Sequence, residues 1–260
     1  MKKLLLIIMG LLTFVASDAG NKVFYLQGNA AGNKVIATQD ARVSVHIPEL
    51  CGMVQFGIIK GGANEQSLWL KDAKTMNAKM KDGVLTYIVK DPLLGNGTVT
   101  LRMKPMKNTS GFLIEMTCQG CPADVSLLWC YGGASNRTVK DAEGCSLLPE
   151  YCKENILSVE RTAFTNYFGE AGHFRVFSGI TPLTSDIRLC DARQQQSPLT
   201  FFNSGKRTDA MALGGVLPLN ASVSQNGSIL QNGETAYFAF FAPARGCDYN
   251  YFMLSKLFNE

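Results

Sequence analysis

Two histidines, a CxxC pair, four loop or strand-end carboxylates and a Gly-x-Gly pair are the residues of this 260-residue chain whose types and spacing could do chemistry. His46 alternates outward from Val45 and Ile47, and His173 follows Glu170 in GEAGHFRVF. A serine relay on a hydrolase elbow would want G-x-S-x-G, which is absent. Each histidine therefore reads as a surface or strand-edge residue rather than a general base. Cys118 and Cys121 have half the spacing of a zinc site, but a tetrahedral site needs a second pair or nearby histidines. Neither is visible, so the pair reads as a β-turn and no metal is expected. Hydrolysis of a glycosidic bond needs two carboxylates facing it. Asp91, Glu143, Glu150 and Asp191 are of the right type, yet nothing in their spacing brings two together. No catalytic residue is assigned and no cofactor is expected.

The glycine pair lies in KDPLLGNGTVTLRM, residues 90–103. A dinucleotide fingerprint needs a third glycine and a following helix; here Thr98, Val99 and Thr100 continue as a strand. NSGKRT at 203–208 resembles the end of a phosphate loop, but Arg207 stands where Ser or Thr is required. Gly95 and Gly97 are therefore read as turning the chain, with Asn96-Gly97 taking the positive φ values of a hairpin turn. Leu93 and Leu94 are left at the loop tip. Burying one leucine contributes roughly 1.5 to 3 kcal/mol, so the loop either folds over the end of its own domain or plugs into a neighbouring one.

Aromatic residues offer a second kind of chemistry. In SLWLK, Leu68 and Leu70 share a face, which puts Trp69 on the opposite, polar face with Ser67 and Lys71. A tryptophan there either stacks on a sugar or packs under a loop or partner, and packing ranks ahead. In VSLLWCYGG, Val125, Leu127, Trp129 and Tyr131 alternate together, which makes Trp129 core. Tyr131 runs into the GGASN loop and could reach a surface site. Trp69 and Tyr131 are the candidate carbohydrate-binding residues.

The elements that must position these groups read mostly with a period of two. Val43, Val45 and Ile47 share a face, as do Met76, Ala78 and Met80, and Val99, Leu101 and Met103. Further strand-like runs lie at 84–89, 111–118, 125–131, 173–180, 187–192, 198–202 and 235–243. Turn residues such as KDG, GNG, KNTSG and QNGE separate them. The pattern predicts an all-β fold, a large antiparallel β-sandwich of supersandwich-like type, with a short C-terminal helix. That helix rests on the apolar spacing of Phe252, Leu254, Leu257 and Phe258 in YNYFMLSKLFNE.

Composition narrows the setting. Hydrophobic residues make up 46% and charged residues 18%, which suits a packed core. The net charge of +4 forms no basic run, so no nucleic acid partner is expected. Lys2 and Lys3, an apolar run over 4–15 and small residues at Ala16, Ser17 and Ala19 have the layout of a signal peptide. No later run stays apolar for about 18 residues, so no membrane span is expected. Eight cysteines in an exported chain permit disulfides. Cys145 and Cys152 bracket a short loop and are the first guess for a bridge, whereas Cys130 and Cys190 read as buried small hydrophobes. The expected division is a signal peptide over 1–19, a β-sandwich over 20–248, and the start of a helix or an interdomain linker over 249–260.

The segments VQFGIIKGG, LWLKDAKTMNAKMKDGVLTYIVKDPLLGNGTVTLRM, LLWCYGGASN and LLPEYCKEN, in that order, resemble the bacterial family called domain of unknown function 4450. The resemblance runs from about Val54 to the end. It implies large exported proteins with an N-terminal β-sandwich and a helical toroid similar to that of glycoside hydrolases. It also implies polysaccharide degradation and a periplasmic or extracellular location. The chain departs from that pattern by ending at Glu260, where the helical portion would begin. The leading expectation is a non-catalytic β-sandwich module that supports a helical domain or faces a glycan; whether the chain is itself an enzyme is left open. The alternatives are an N-terminal fragment of a glycoside hydrolase that lends loops to an active site completed by a missing helical domain, and a free-standing glycan-binding protein. The expected partners are a glycan or that C-terminal helical domain. Leu93, Leu94, Phe252 and Phe258 are the candidate interdomain contacts.

Overall fold

Period-two alternation over segments of four to eleven residues gives strands with one face available for burial, and two such layers close on each other. The computed structural model describes residues 22–26, 34–47, 50–61, 65–107, 110–135, 157–158, 167–171, 174–179, 186–205, 211–218, 224–225, 228–229, 235–242 and 253–260. The proposed leader, His173, Glu143, Glu150, Cys145, Cys152 and Phe252 lie outside them.

The strands run, in chain order, β1 (Val23–Leu26), β2 (Lys34–Thr38), β3 (Val43–Ile47), β4 (Leu50–Lys60), β5 (Gln66–Trp69), β6 (Thr75–Lys81), β7 (Val84–Lys90), β8 (Thr98–Pro105), β9 (Ser110–Gln119) and β10 (Val125–Ser135). They continue with β11 (Leu157–Ser158), β12 (Tyr167–Ala171), β13 (Phe174–Gly179), β14 (Asp186–Asp191), β15 (Met211–Pro218), β16 (Ser224–Gln225), β17 (Ser228–Ile229) and β18 (Thr235–Ala242). Helix α1 (Pro198–Phe202) precedes β15, and α2 (Leu254–Asn259) follows β18.

One sheet has the order β1-β2-β3-β4-β10-β15-β14, with β5 also paired to β4. The other runs β11-β12-β13-β18-β9-β8-β7-β6, and β16 pairs with β17 apart from both. Pairings within both sheets are antiparallel, the longest joining β4 to β10 from Val125↔Lys60 to Ser135↔Leu50. The expected antiparallel sandwich with a short C-terminal helix is what the chain forms.

The core lies between the sheets. Phe56, Ile58, Leu127, Trp129 and Tyr131 from the first face Leu85, Tyr87, Leu101, Phe112 and Phe240 from the second. Trp129 meets the Phe240 ring edge-on at 5.9 Å, and the Tyr87 hydroxyl donates to the Thr38 carbonyl at 2.7 Å. Each such ring removes a large apolar area from water, the main force holding the layers together. Met76, Ala78 and Met80 are half-buried on the inner face of β6, as their alternation implies.

Both sheets carry a helix of their own chain on the outer face. Over the first sheet, Phe201 and Phe202 of α1 pack with Trp69, Leu128, Cys130 and Cys190. Residues 198–202 were expected as a strand and are helical. The Ser197 hydroxyl caps α1 by accepting from the Thr200 amide, and Pro198 occupies the first turn, where a missing N–H costs no helical bond. Over the second sheet, Leu254 and Phe258 of α2 pack on Met106, Leu113 and Ala239.

Candidate functional site

Strands β6 and β7 are joined by a two-residue turn in which Asp82 and Gly83 both have positive φ. At the other end of this hairpin, Thr75 pairs with Lys90, Lys74 precedes the pair and Asp91 follows it. Asp91 then organises the entry to β8. Its Oδ1 accepts the Leu93 amide at 2.9 Å and caps a single 3-10 turn over Pro92–Leu94, and its Oδ2 accepts the Lys74 amide at 3.0 Å. One carboxylate thus ties the start of β6 to the end of β7.

The turn closes through Gly95, whose amide donates to the Pro92 carbonyl and whose φ is 60°. The positive φ expected at Asn96 and Gly97 falls on Gly95 instead, one residue earlier, where that glycine ends the 3-10 turn. Gly97 serves close approach. A Cβ there would lie 2.6 to 2.7 Å from the N, Cα and Sγ of Cys121. Cys121 is bridged to Cys118 by a disulfide, so the CxxC pair, read as a plain turn, is a covalent staple beside this loop. Leu94 is fully buried in the main core and Leu93 packs at its edge. The DPLLG loop therefore folds over the end of its own sandwich.

Lys74, Thr75, Lys90, Asp91, Pro92, Gly95, Asn96 and Gly97 line an open cleft of about 400 Å³. Its charge is asymmetric. Asp91 is its one carboxylate, with both oxygens on backbone amides, while the Lys74 and Lys90 ammonium groups have no ion-pair partner among the described residues.

The other candidates occupy different places. Trp69 is 2% exposed, donates from Nε1 to the Gln195 carbonyl at 2.8 Å, and meets Phe201 at 6.0 Å. Its alternation with Leu68 and Leu70 is as expected, but α1 covers the face taken as polar. Tyr131 is fully buried in the main core beside Trp129, away from the surface position envisaged for it. Neither ring presents a face on which a sugar could stack. Asp191 is 3% exposed and its Oδ1 accepts the Arg193 amide at 3.0 Å. It sits on β14 in the first sheet, while Asp91 follows β7 in the second. His46 lies on β3, an inner strand between β2 and β4. Cys130 and Cys190 are fully buried, as expected for small hydrophobes.

A second polar group surrounds α2. Phe258 is 3% exposed, with the Lys104 ammonium 5.1 Å and the Arg102 guanidinium 5.3 Å from its ring centre. Arg102 pairs with Glu115 at 2.5 Å, and the Tyr237 hydroxyl lies 3.3 Å from the other Glu115 oxygen. Burial, then the neighbouring Lys107 and Arg102 charges, push the Lys104 pKa down. Burial, then Glu115, push the Tyr237 phenol up. Phe258, taken as an interdomain contact, here seals α2 onto its own sheet.

No group of three or more His, Cys, Asp or Glu is gathered among the described residues, and none of their helices is long and apolar enough to cross a membrane. Two opposed antiparallel sheets, a helix on each outer face and a polar cleft at one end define an all-β sandwich protein. The family described as Domain of unknown function (DUF4450) matches residues 47–260, and the chain belongs to it. No curated protein matches the chain. Among solved structures, a bacterial glucoamylase complexed with acarbose is similar at 11% identity with a TM-score of 0.48, over 92% of this chain. The match takes in 34% of the glucoamylase chain, so the present chain spans about a third of that protein's length.

Proposed function

We propose that this chain is a non-catalytic β-sandwich module of an exported carbohydrate-processing protein, supporting a helical domain or facing a glycan. The observation that carries the non-catalytic part is the state of Asp91. Glycosidic hydrolysis asks for an acid and a second carboxylate on one bond, whereas among the described residues the cleft has one carboxylate, with both oxygens accepting backbone amides. Such a group positions a loop. Membership of the family supports the carbohydrate setting through the glycoside-hydrolase resemblance of its members. Export to the periplasm or beyond is supported by the leader pattern and by the Cys118–Cys121 bridge, a bond that persists in oxidising compartments. Docking of α2 through Leu254 and Phe258 would fix the position of a domain following it, which suits a supporting role.

The test is release of reducing ends from a panel of neutral and acidic polysaccharides by the purified chain. The expected result is no release, from either the native chain or Asp91→Asn. Hydrolysis that Asp91→Asn abolishes would reject the reading.

A further inference from the structure

Cross-strand pairing of Thr75 with Lys90 places both side chains on the outer, exposed face of the second sheet. Lys74 and Asn96 are exposed at the same cleft. The Asp91 carboxylate accepts the Lys74 and Leu93 amides and so serves as a fold element, and among the described residues it forms no ion pair with either ammonium. The cleft volume of about 400 Å³ falls in the range of small-ligand sites. Among the described residues no aromatic ring lines it, so recognition by these residues comes from charge and hydrogen bonds rather than stacking.

We propose that this cleft binds an anionic sugar residue bearing a carboxylate or sulfate, with Lys74 and Lys90 meeting the anion and Thr75 and Asn96 bonding ring hydroxyls. The proposal rests on the carbohydrate reading above and adds the chemical class of the saccharide. Exposed ammonium groups contribute modestly and are screened by salt. Binding is therefore weak, falls as ionic strength rises, and depends on both lysines together.

The purified chain and the double variant Lys74→Gln/Lys90→Gln, checked for native circular dichroism, are titrated calorimetrically with four probes. These are oligogalacturonate, a sulfated galactan oligosaccharide, a neutral maltooligosaccharide and inorganic sulfate. The expected result is binding of at least one acidic oligosaccharide, weakened by salt and roughly five- to tenfold weaker in the double variant. The two acidic arms separate carboxylate from sulfate. Tighter binding of the neutral sugar, or acidic binding unchanged in the double variant, overturns the assignment and leaves the carbohydrate reading standing. Inorganic sulfate binding as tightly as the sulfated oligosaccharide reduces the cleft to an anion patch and also overturns it. No saccharide binding in any arm overturns the assignment and leaves the supporting role of the module standing.

Discussion

Gly97 and Cys121 sit closer than any larger side chain would allow, so the turn between β7 and β8 and the Cys118–Cys121 staple are built against each other. Gly97→Ala should cost about 1–3 kcal/mol, since its Cβ would meet backbone atoms that cannot rotate away. Urea denaturation measures the loss; an unchanged midpoint would show that the loop yields freely. Tyr237 gives a second prediction at this scale. Its raised pKa means that the folded chain holds the phenolic proton more tightly than the unfolded chain. The stability this group confers is present below its ordinary value of 10 and is lost as pH climbs through the raised value. The lowered pKa of Lys104 tilts stability the opposite way over alkaline pH, so the difference between native and Tyr237→Phe chains is the quantity to follow. Tyrosinate absorbance of native minus variant should show a phenol ionising late, and Glu115→Gln should bring it earlier. The turn glycines were legible as turn residues from spacing alone. The carboxylate that organises them was legible in part: Asp91-Pro92 is a local cap signal for the Leu93 amide, whereas the bond to the Lys74 amide is named only once β6 and β7 are in register.

Both helices are short, and each depends on what it covers. Ser197→Ala removes the side-chain acceptor for the Thr200 amide and should cost about 1 kcal/mol, read as a lower thermal midpoint. Helix α1 escaped the period-two reading because PLTFF is apolar in a way that suits a strand. The Ser-Pro pair just before it was the available signal, a cap residue followed by proline at the first helical position. Helix α2 was legible from the spacing of Leu254, Leu257 and Phe258, but its destination was not, since an apolar stripe does not say which surface receives it. Phe258→Ala should undock it at a cost of up to about 3 kcal/mol. Hydrogen exchange would then rise in residues 254–260 while the β8–β9 ladder stays protected. The half-exposed Arg102–Glu115 pair contributes at most about 1 kcal/mol, so apolar burial decides the docking.

Across the whole molecule, alternation was enough to reveal two facing sheets, since a half-buried strand must put every second residue inside. It was not enough to say what covers the outer faces. Trp69 alternates away from the main core, and packing was ranked ahead of sugar stacking for it; the cover is α1, brought from about 130 residues further along the chain, which makes a second apolar layer there. Tyr131 was read as alternating with Trp129 but able to reach a surface site where it runs into the next loop; it stays on the inward face, fully buried. These aromatic rings hold the sandwich together, while the polar groups at the Asp91 loop stay at the surface. Trp69 and Trp129 are the only two tryptophans in the chain, which makes acrylamide quenching of their fluorescence the most direct measurement. With both rings buried, emission should be blue-shifted, barely quenched by acrylamide and unchanged by saccharides until denaturant unfolds the sheets. Red-shifted, readily quenched emission in the native chain, or quenching relieved by a bound sugar, would contradict that burial.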